Sequence, residues 1–152
     1  MKILLFGANG QVGWRLRHSL AGLGEVIALD RASRPLCGNL LDTEGVAASV
    51  ASVAPDVVVN AAAYVEVDRA EDEPDLAFAV NATACEALAR AAARQGAWLV
   101  HYSTDYVYDG SGDRPWLESD APGPLNIYGR SKLAGDGAIL RETSRPLVLR
   151  TS

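Results

Sequence analysis

The chain has 152 residues, of which 49% are apolar and 22% charged, and its formal net charge at neutral pH is −5. This length and composition are typical of one globular domain with a substantial core. The negative charge and the absence of any basic run argue against a surface for nucleic acid or for an anionic membrane, so we expect neither as a partner.

The cysteines and the N-terminus predict a soluble, cytoplasmic protein. Cys37 and Cys85 lack the C-x-x-C spacing, and we expect both to be free thiols packed as small apolar side chains in a reducing compartment. The apolar run before Gly7 is shorter than the roughly 7–15 residues that a signal peptide needs. No stretch approaches the length of a membrane span.

Short apolar runs alternate with longer helical patterns along the chain, which predicts an α/β fold. We expect a Rossmann-like, doubly wound parallel sheet with helices on both faces. The predicted strands are 2–6, 25–30, 56–60, 98–102 and 147–151, the predicted helices are 11–21, 43–53, 74–95 and 127–142, and residues 106–125 are predicted to form a long loop. Thr43 is the expected cap of the second helix.

A glycine pattern, Gly7-x-x-Gly10-x-x-Gly13, lies between the first predicted strand and the first predicted helix. Glycine allows the backbone to approach a pyrophosphate, and the free N–H groups of a helix N-terminus attract the anion. This spacing is typical of short-chain and extended short-chain reductases. The alternative is a plain strand-to-helix turn with no ligand.

An acid and a base end the second predicted strand. Asp30 lies 17 residues beyond Gly13, close to the distance at which an acid bonds the ribose hydroxyls of NAD. Arg31 follows at once and is suited to the 2′-phosphate of NADP. The pair leaves the choice between NADH and NADPH open, and a solvated turn is the alternative without a function.

Four side chains in the second half of the chain have the chemistry of a carbonyl reductase. Tyr128 and Lys132 are four residues apart, so they share one face of a helix, and the ammonium is predicted to lower the pKa of the phenol. Thr104 is predicted to hold a substrate carbonyl against Tyr128, and Asp105 to accept hydrogen bonds from sugar hydroxyls. The histidines have no metal-like partners, so no metal site is predicted.

Several stretches resemble the dTDP-4-dehydrorhamnose reductases, a family of extended short-chain reductases. They are 6–13, 60–64, 67–68 with 70–71, 80–82, 102–110 and 124–135, and they extend over nearly the whole chain. The resemblance implies reduction of the 4-keto group of dTDP-4-dehydro-6-deoxy-L-mannose to dTDP-L-rhamnose, with NADPH or NADH as cofactor. It also implies a nucleotide-sugar as substrate partner and a homodimer for the full-length protein.

The resemblance also assigns roles to individual residues. Tyr128 becomes the proton donor, Lys132 its electrostatic partner and a cofactor ligand, and Thr104 and Asp105 the contacts to the sugar. The implied cofactor residues are Gly7, Gly10, Gln11, Val12 and Gly13 at the pyrophosphate, Asp30, Arg31, Asn39 and Leu40 around the adenosine, Ala62, Ala63 and Tyr64 along the cleft, and Tyr128 and Lys132 themselves. Three positions depart from the family pattern, namely Val65 for a threonine, Asp136 for a glutamate and Asn39 for an acid.

Two other functions stay open at this stage. One is a different extended reductase or an epimerase that holds NAD tightly, and the other is a regulatory subunit that binds a dinucleotide without turnover. Family members are roughly twice as long as this chain. We therefore expect residues 1–152 to be an NAD(P)-binding domain that lacks the family's C-terminal substrate domain, reduces its substrate poorly alone, and exposes apolar surface on its last strand.

Overall fold

Five strands of the computed structural model, which describes residues 1–152, form one parallel sheet. The strands are β1 (Lys2–Phe6), β2 (Glu25–Leu29), β3 (Val57–Asn60), β4 (Trp98–Thr104) and β5 (Pro146–Thr151). Their order in the sheet is β2-β1-β3-β4-β5, and every neighbouring pair is parallel. The predicted Rossmann-like fold is confirmed.

Five α-helices connect the strands. They are α1 (Gln11–Ser19), α2 (Thr43–Val53), α3 (Pro74–Phe78), α4 (Ala84–Gln95) and α5 (Ile127–Glu142), with a π-helical turn at Ala79–Thr83 and 3-10 turns at Leu20–Gly22, Arg69–Glu71 and Asp105–Val107. None of these helices combines the length and the apolar character needed to span a bilayer.

Alternate side chains of the strands enter two cores of unequal size. Leu4 and Phe6 of β1 lie in the larger one, which also contains side chains of α2, α4 and α5. Ile3 and Leu5 lie in a smaller cluster on the opposite face, against Leu16 of α1. This alternation is the two-residue period of a strand whose two faces are both covered.

The predicted helix 74–95 is one helical run, but a π-turn divides it into α3 and α4. Asn81 lies in this turn, and its buried side chain hydrogen-bonds Tyr64 N and O and the Ser131 hydroxyl. A Cβ on Gly135 would lie 2.0 Å from Asn81 O, so α5 crosses the π-turn in direct backbone contact. No short-range pattern predicts such a turn, because the contact joins segments about 50 residues apart.

Two further predictions need correction in detail, and a third agrees with the structure. The cap of α2 is Asp42, whose carboxylate accepts from Gly45 N at 2.8 Å, rather than Thr43. The fourth strand continues to Thr104, so Ser103 and Thr104 belong to the sheet. The expected apolar exposure of the last strand is present at Leu147, which is 47% exposed.

Gly135→Ala should destabilise the protein by about 2–3 kcal/mol, because the new methyl group would overlap the Asn81 carbonyl at the crossing of α5 and the π-turn. The matched control is Gly137→Ala on the same helix, where the nearest outside atom is a flexible Arg141 nitrogen 3.4 Å away. That variant should be neutral or more stable by up to ~1 kcal/mol. Urea unfolding of both variants measures the difference, and equal effects would contradict the close crossing.

Candidate active site at the carboxyl edge of the sheet

The carboxyl ends of the parallel strands bring most of the predicted site residues to one edge of the sheet. The glycine turn follows β1, Asp30 follows β2, the Ala61–Tyr64 segment follows β3, and Thr104 ends β4. This is the edge at which open α/β sheets bind ligands. Tyr128 reaches the same edge from the first turn of α5.

Close backbone approach explains two of the three glycines. Gly7 has φ +87°, and a Cβ there would lie 2.6 Å from Ala62 N, in the segment after β3. A Cβ on Gly13 would lie 2.0 Å from Gly7 O, so the start of α1 packs directly on the end of β1. Gly10 precedes α1 in an extended conformation and provides no side-chain cap. The first N–H groups of the helix, at Gln11, Val12 and Gly13, are therefore available to an anion.

Asp30 is held in a fixed orientation beside the glycine turn. Its carboxylate accepts from Ala32 N at 2.9 Å, from the Ser33 hydroxyl at 3.0 Å and from the Asn9 amide. The hydrogen bonds from Ser33 and Ala32 hold the pKa of Asp30 below its usual value, so the carboxylate is ionised at neutral pH. Asn9, which the sequence analysis did not select, thus connects the turn after β1 with the end of β2.

The other residues expected around the adenosine differ in how much of each is accessible to a ligand. Gly38 packs against Asp30 O, so the segment that follows it begins next to the acid. Asn39 is half-buried and accepts from Leu41 N through its own side chain. The side chain of Leu40 is buried in the main core, which leaves only its backbone for a ligand. Arg31 is exposed.

Two asparagines hold the segment after β3 in place. The Asn60 side chain accepts from Ala62 N at 3.1 Å, and Asn81 accepts from Tyr64 N at 2.9 Å. Ala62, Ala63 and Tyr64 are all half-buried, so this segment forms a wall beside the glycine turn.

The first turn of α5 is fixed by contacts on both sides of Tyr128. The Asn126 side chain caps the helix by accepting from Gly129 N at 2.7 Å, and a Cβ on Gly129 would lie 2.3 Å from Tyr106 O. The rings of Tyr106 and Tyr128 meet edge to face with centroids 5.6 Å apart. Burial raises the pKa of Tyr128, the charge of Asp105 raises it further, and the Thr104 hydroxyl partly offsets both effects.

The Thr104 hydroxyl is buried between Tyr128 and its own chain neighbours. It accepts from Tyr106 N at 3.2 Å and donates to the Asp105 carboxylate at 3.2 Å. Asp105 itself is exposed. The structure therefore brings the expected proton donor and both expected sugar contacts together.

The side chain of Lys132 extends toward the sheet, rather than toward the Tyr128 hydroxyl as the spacing predicts. Its side chain is 1% exposed, and Nζ donates to Tyr102 O at 2.6 Å and lies 3.3 Å from His101 Nε2. Burial lowers the pKa of Lys132. The predicted lowering of the Tyr128 pKa is wrong, because the four-carbon stem carries the ammonium beneath the helix to a carbonyl of β4.

Below Lys132 lies a buried polar cluster that the sequence analysis missed. His101 contacts Asn60 through Nδ1, and the Asp136 carboxylate accepts from the Ser103 hydroxyl at 2.8 Å and from Arg150 Nε at 3.4 Å. The residues come from β3, β4, β5 and α5, so only the folded sheet brings them together. Their one signal in the sequence is a polar residue inside each otherwise apolar strand.

The long loop is anchored by aromatic stacking. Trp116 lies parallel to Tyr108 with ring centroids 4.6 Å apart, and the Tyr108 hydroxyl accepts from Arg150 Nη1 at 2.7 Å and donates to Leu117 O at 3.0 Å. Trp116 therefore anchors the loop to β5. No group of three or more histidine, cysteine or acidic side chains has the geometry of a metal site.

Thr104→Val should raise the pKa of Tyr128 further, because it removes the one hydroxyl that lowers it. Thr104→Ser retains the hydroxyl and should leave the pKa close to that of the unchanged protein. An absorbance titration of tyrosinate, with the Tyr128→Phe titration subtracted, measures this one phenol. Equal pKa values in the valine and serine variants would contradict the contact.

Comparison with known proteins agrees with this geometry. The family model described as RmlD substrate binding domain matches residues 1–152. The dTDP-4-dehydrorhamnose reductase of Escherichia coli K12 is 55% identical over 152 residues, which are 100% of this chain and 51% of that protein. The chain thus spans about half the length of the curated relatives it matches.

Solved structures give the same result. A dTDP-4-dehydrorhamnose reductase from Clostridium acetobutylicum has a TM-score of 0.94 and 37% identity, covering 100% of this chain and 53% of that one. The Bacillus anthracis enzyme, solved in complex with NADP, has a TM-score of 0.93 and 34% identity, covering 99% and 53%. The resemblance that the motifs indicate is confirmed, and the chain belongs to the RmlD substrate binding domain family.

Proposed function

We propose that this chain is the dinucleotide-binding and proton-donating part of a dTDP-4-dehydrorhamnose reductase. The reaction is reduction of the 4-keto group of dTDP-4-dehydro-6-deoxy-L-mannose to dTDP-L-rhamnose, with NADPH or NADH. The observation that carries this proposal is the position of Tyr128 and Thr104 at the sheet edge that the glycine turn also borders. The name of the Escherichia coli relative supports the choice of substrate.

The residues at the pyrophosphate end fit a dinucleotide. Gly7 and Gly13 leave a cradle that a Cβ would fill, and α1 begins without a side-chain cap. Gly10, Gln11 and Val12 would lie along the pyrophosphate, Asp30, Arg31, Asn39 and the backbone of Leu40 around the adenosine, and Ala62, Ala63 and Tyr64 along the cleft. The dinucleotide, when bound, supplies the hydride.

The chain's own residues supply the proton and the orientation of the ketone. Thr104 would turn its one hydroxyl proton from Asp105 to the carbonyl oxygen and hold that oxygen near Tyr128. As hydride reaches the carbon, the oxygen becomes an alkoxide, which is far more basic than a phenol and takes the Tyr128 proton. Lys132 would contact the cofactor ribose rather than the phenol, while Asp105 would accept hydrogen bonds from the sugar.

The partners follow from the same proposal. A nucleotide-sugar is the substrate partner, and its sugar would lie at Thr104 and Asp105. The nucleotide part would be held by residues of the half of the relatives that this chain does not match. The full-length protein would form a homodimer, as the family resemblance implies. We place it in the cytoplasm, where the free thiols of Cys37 and Cys85 are stable.

Asp30→Asn should raise the affinity for NADPH relative to NADH by on the order of tenfold, because it removes a fixed negative charge beside the site of the 2′-phosphate. Arg31→Ala should shift the ratio in the opposite direction, since it removes a cation from the same turn. Calorimetric titration of both dinucleotides into each variant gives the ratios. An unchanged ratio in both variants would place the adenosine elsewhere.

Tyr128→Phe should reduce turnover by about 10²-fold or more without weakening dinucleotide binding, because only the proton donor is lost. Turnover is best measured in a protein in which this chain replaces the matching 152 residues of the Escherichia coli reductase. The assay follows oxidation of NADPH with the 4-keto sugar nucleotide. A phenylalanine variant that retained full activity would remove Tyr128 from the mechanism.

A further inference from the structure

The cluster beneath Lys132 contains one buried polar atom with no hydrogen-bond partner, Asp136 Oδ1. Its sister oxygen, Oδ2, is held by the Ser103 hydroxyl and by Arg150 Nε, so the carboxylate cannot rotate freely. Oδ1 lies 3.9 Å from His101 Nε2. An orphaned acceptor in a site this deeply buried is unfavourable unless a donor can reach it.

The hydrogen-bond network determines which nitrogen of His101 carries the proton. Ala62 N donates to Asn60 Oδ1, which fixes the orientation of that amide. The Asn60 NH₂ group therefore faces His101 Nδ1 at 3.1 Å and also reaches Cys85 Sγ at 3.5 Å. Nδ1 must accept, so the proton of the neutral ring is on Nε2.

The ring is neutral for two physical reasons. His101 is 0% exposed, and its burial holds its pKa well below the usual value, an effect to which the nearby charge of Lys132 adds. A protonated imidazole would also place a second donor against the Asn60 amide.

The Nε2 proton then has one acceptor within reach. Lys132 Nζ, at 3.3 Å, is an ammonium with no lone pair and cannot accept. Asp136 Oδ1 is a carboxyl oxygen without a partner, and a shift of less than 1 Å in the 3.9 Å separation would make the bond. The other groups facing Lys132 are Cys85 from α4 and the Tyr102 carbonyl from β4.

We propose that Asp136 and His101 are positioning residues for Lys132. Asp136 Oδ1 accepts a hydrogen bond from the Nε2–H of His101, which holds the ring in place beside the ammonium with its donor turned to the carboxylate. Lys132 then has a single main-chain acceptor, Tyr102 O, and its remaining N–H groups stay available to the cofactor ribose. This role rests on the proposed function, but the arrangement of protons does not.

The test uses the tautomer of His101, read from imidazole nitrogen chemical shifts in protein labelled on histidine. The chain has two histidines, and the exposed His18 provides an internal reference. The unchanged protein should show His101 neutral and protonated on Nε2. Protonation on Nδ1 would overturn the proposal.

Asp136→Asn should remove the acceptor of the His101 Nε2–H without changing the tautomer. Ser103 and Arg150 both donate, so the amide oxygen of the new side chain must face them and its NH₂ group must face His101. Asn60 still requires Nδ1 to accept, so the proton stays on Nε2, and the Nε2 chemical shift should move because its hydrogen bond is lost. Ser103→Ala is the matched control, because Arg150 still holds Oδ2 and Oδ1 is untouched. An unchanged Nε2 shift in Asp136→Asn would overturn the proposal.

Dinucleotide binding gives the second measurement. Asp136→Asn should weaken NADH binding by about tenfold, because the imidazole beside Lys132 is no longer held and the negative charge near the ammonium is lost, while Ser103→Ala should change it less than about twofold. Equal affinities in the two variants would show that the cluster does not position Lys132. If neither the variants nor the unchanged protein bound NADH, the proposed function would fail. The chemical-shift result for His101 would still hold.

Discussion

The rest of the site depends on the burial of the Lys132 ammonium. A cation inside a protein needs acceptors and a compensating charge, and here they are the Tyr102 carbonyl of β4 and the carboxylate of Asp136. The hydrogen bond to Tyr102 O and the charge of Asp136 both favour close packing of α5 on the sheet. Gly135 permits that approach, because any side chain there would meet the Asn81 carbonyl. Tyr128 reaches the edge of the sheet through this packing together with its ring contact to Tyr106.

The raised pKa of Tyr128 suits a donor better than a base. Burial and the Asp105 charge keep the phenol protonated at neutral pH, and Thr104 moderates the effect. A proton donor needs its proton until an alkoxide forms, and an alkoxide is basic enough to take it from any phenol. The raised pKa of the phenol therefore agrees with the role of proton donor that we propose for Tyr128.

Local patterns predicted the strands well and the deeper contacts poorly. Apolar runs bounded by glycine, proline or polar residues locate all five strands, and parallel topology then brings Asp30 and Thr104 to one edge. The π-turn and the direction of Lys132 were missed because each is decided by partners 30 or more residues away. The spacing of Tyr128 and Lys132 predicts that they share a helix face. It does not predict whether the flexible lysine side chain extends toward solvent or toward the sheet.

The two ends of the site are stabilised in different ways. At the glycine turn, Gly7 and Gly13 are required by backbone contacts, so the geometry depends on the absence of side chains. Around Lys132, the geometry depends on paired polar groups inside the core. The segment after β3 connects them, since Ala62 N contacts the Gly7 region and also donates to Asn60, which orients His101. The backbone at Ala62 is therefore the point at which the glycine turn and the polar cluster below Lys132 share a contact.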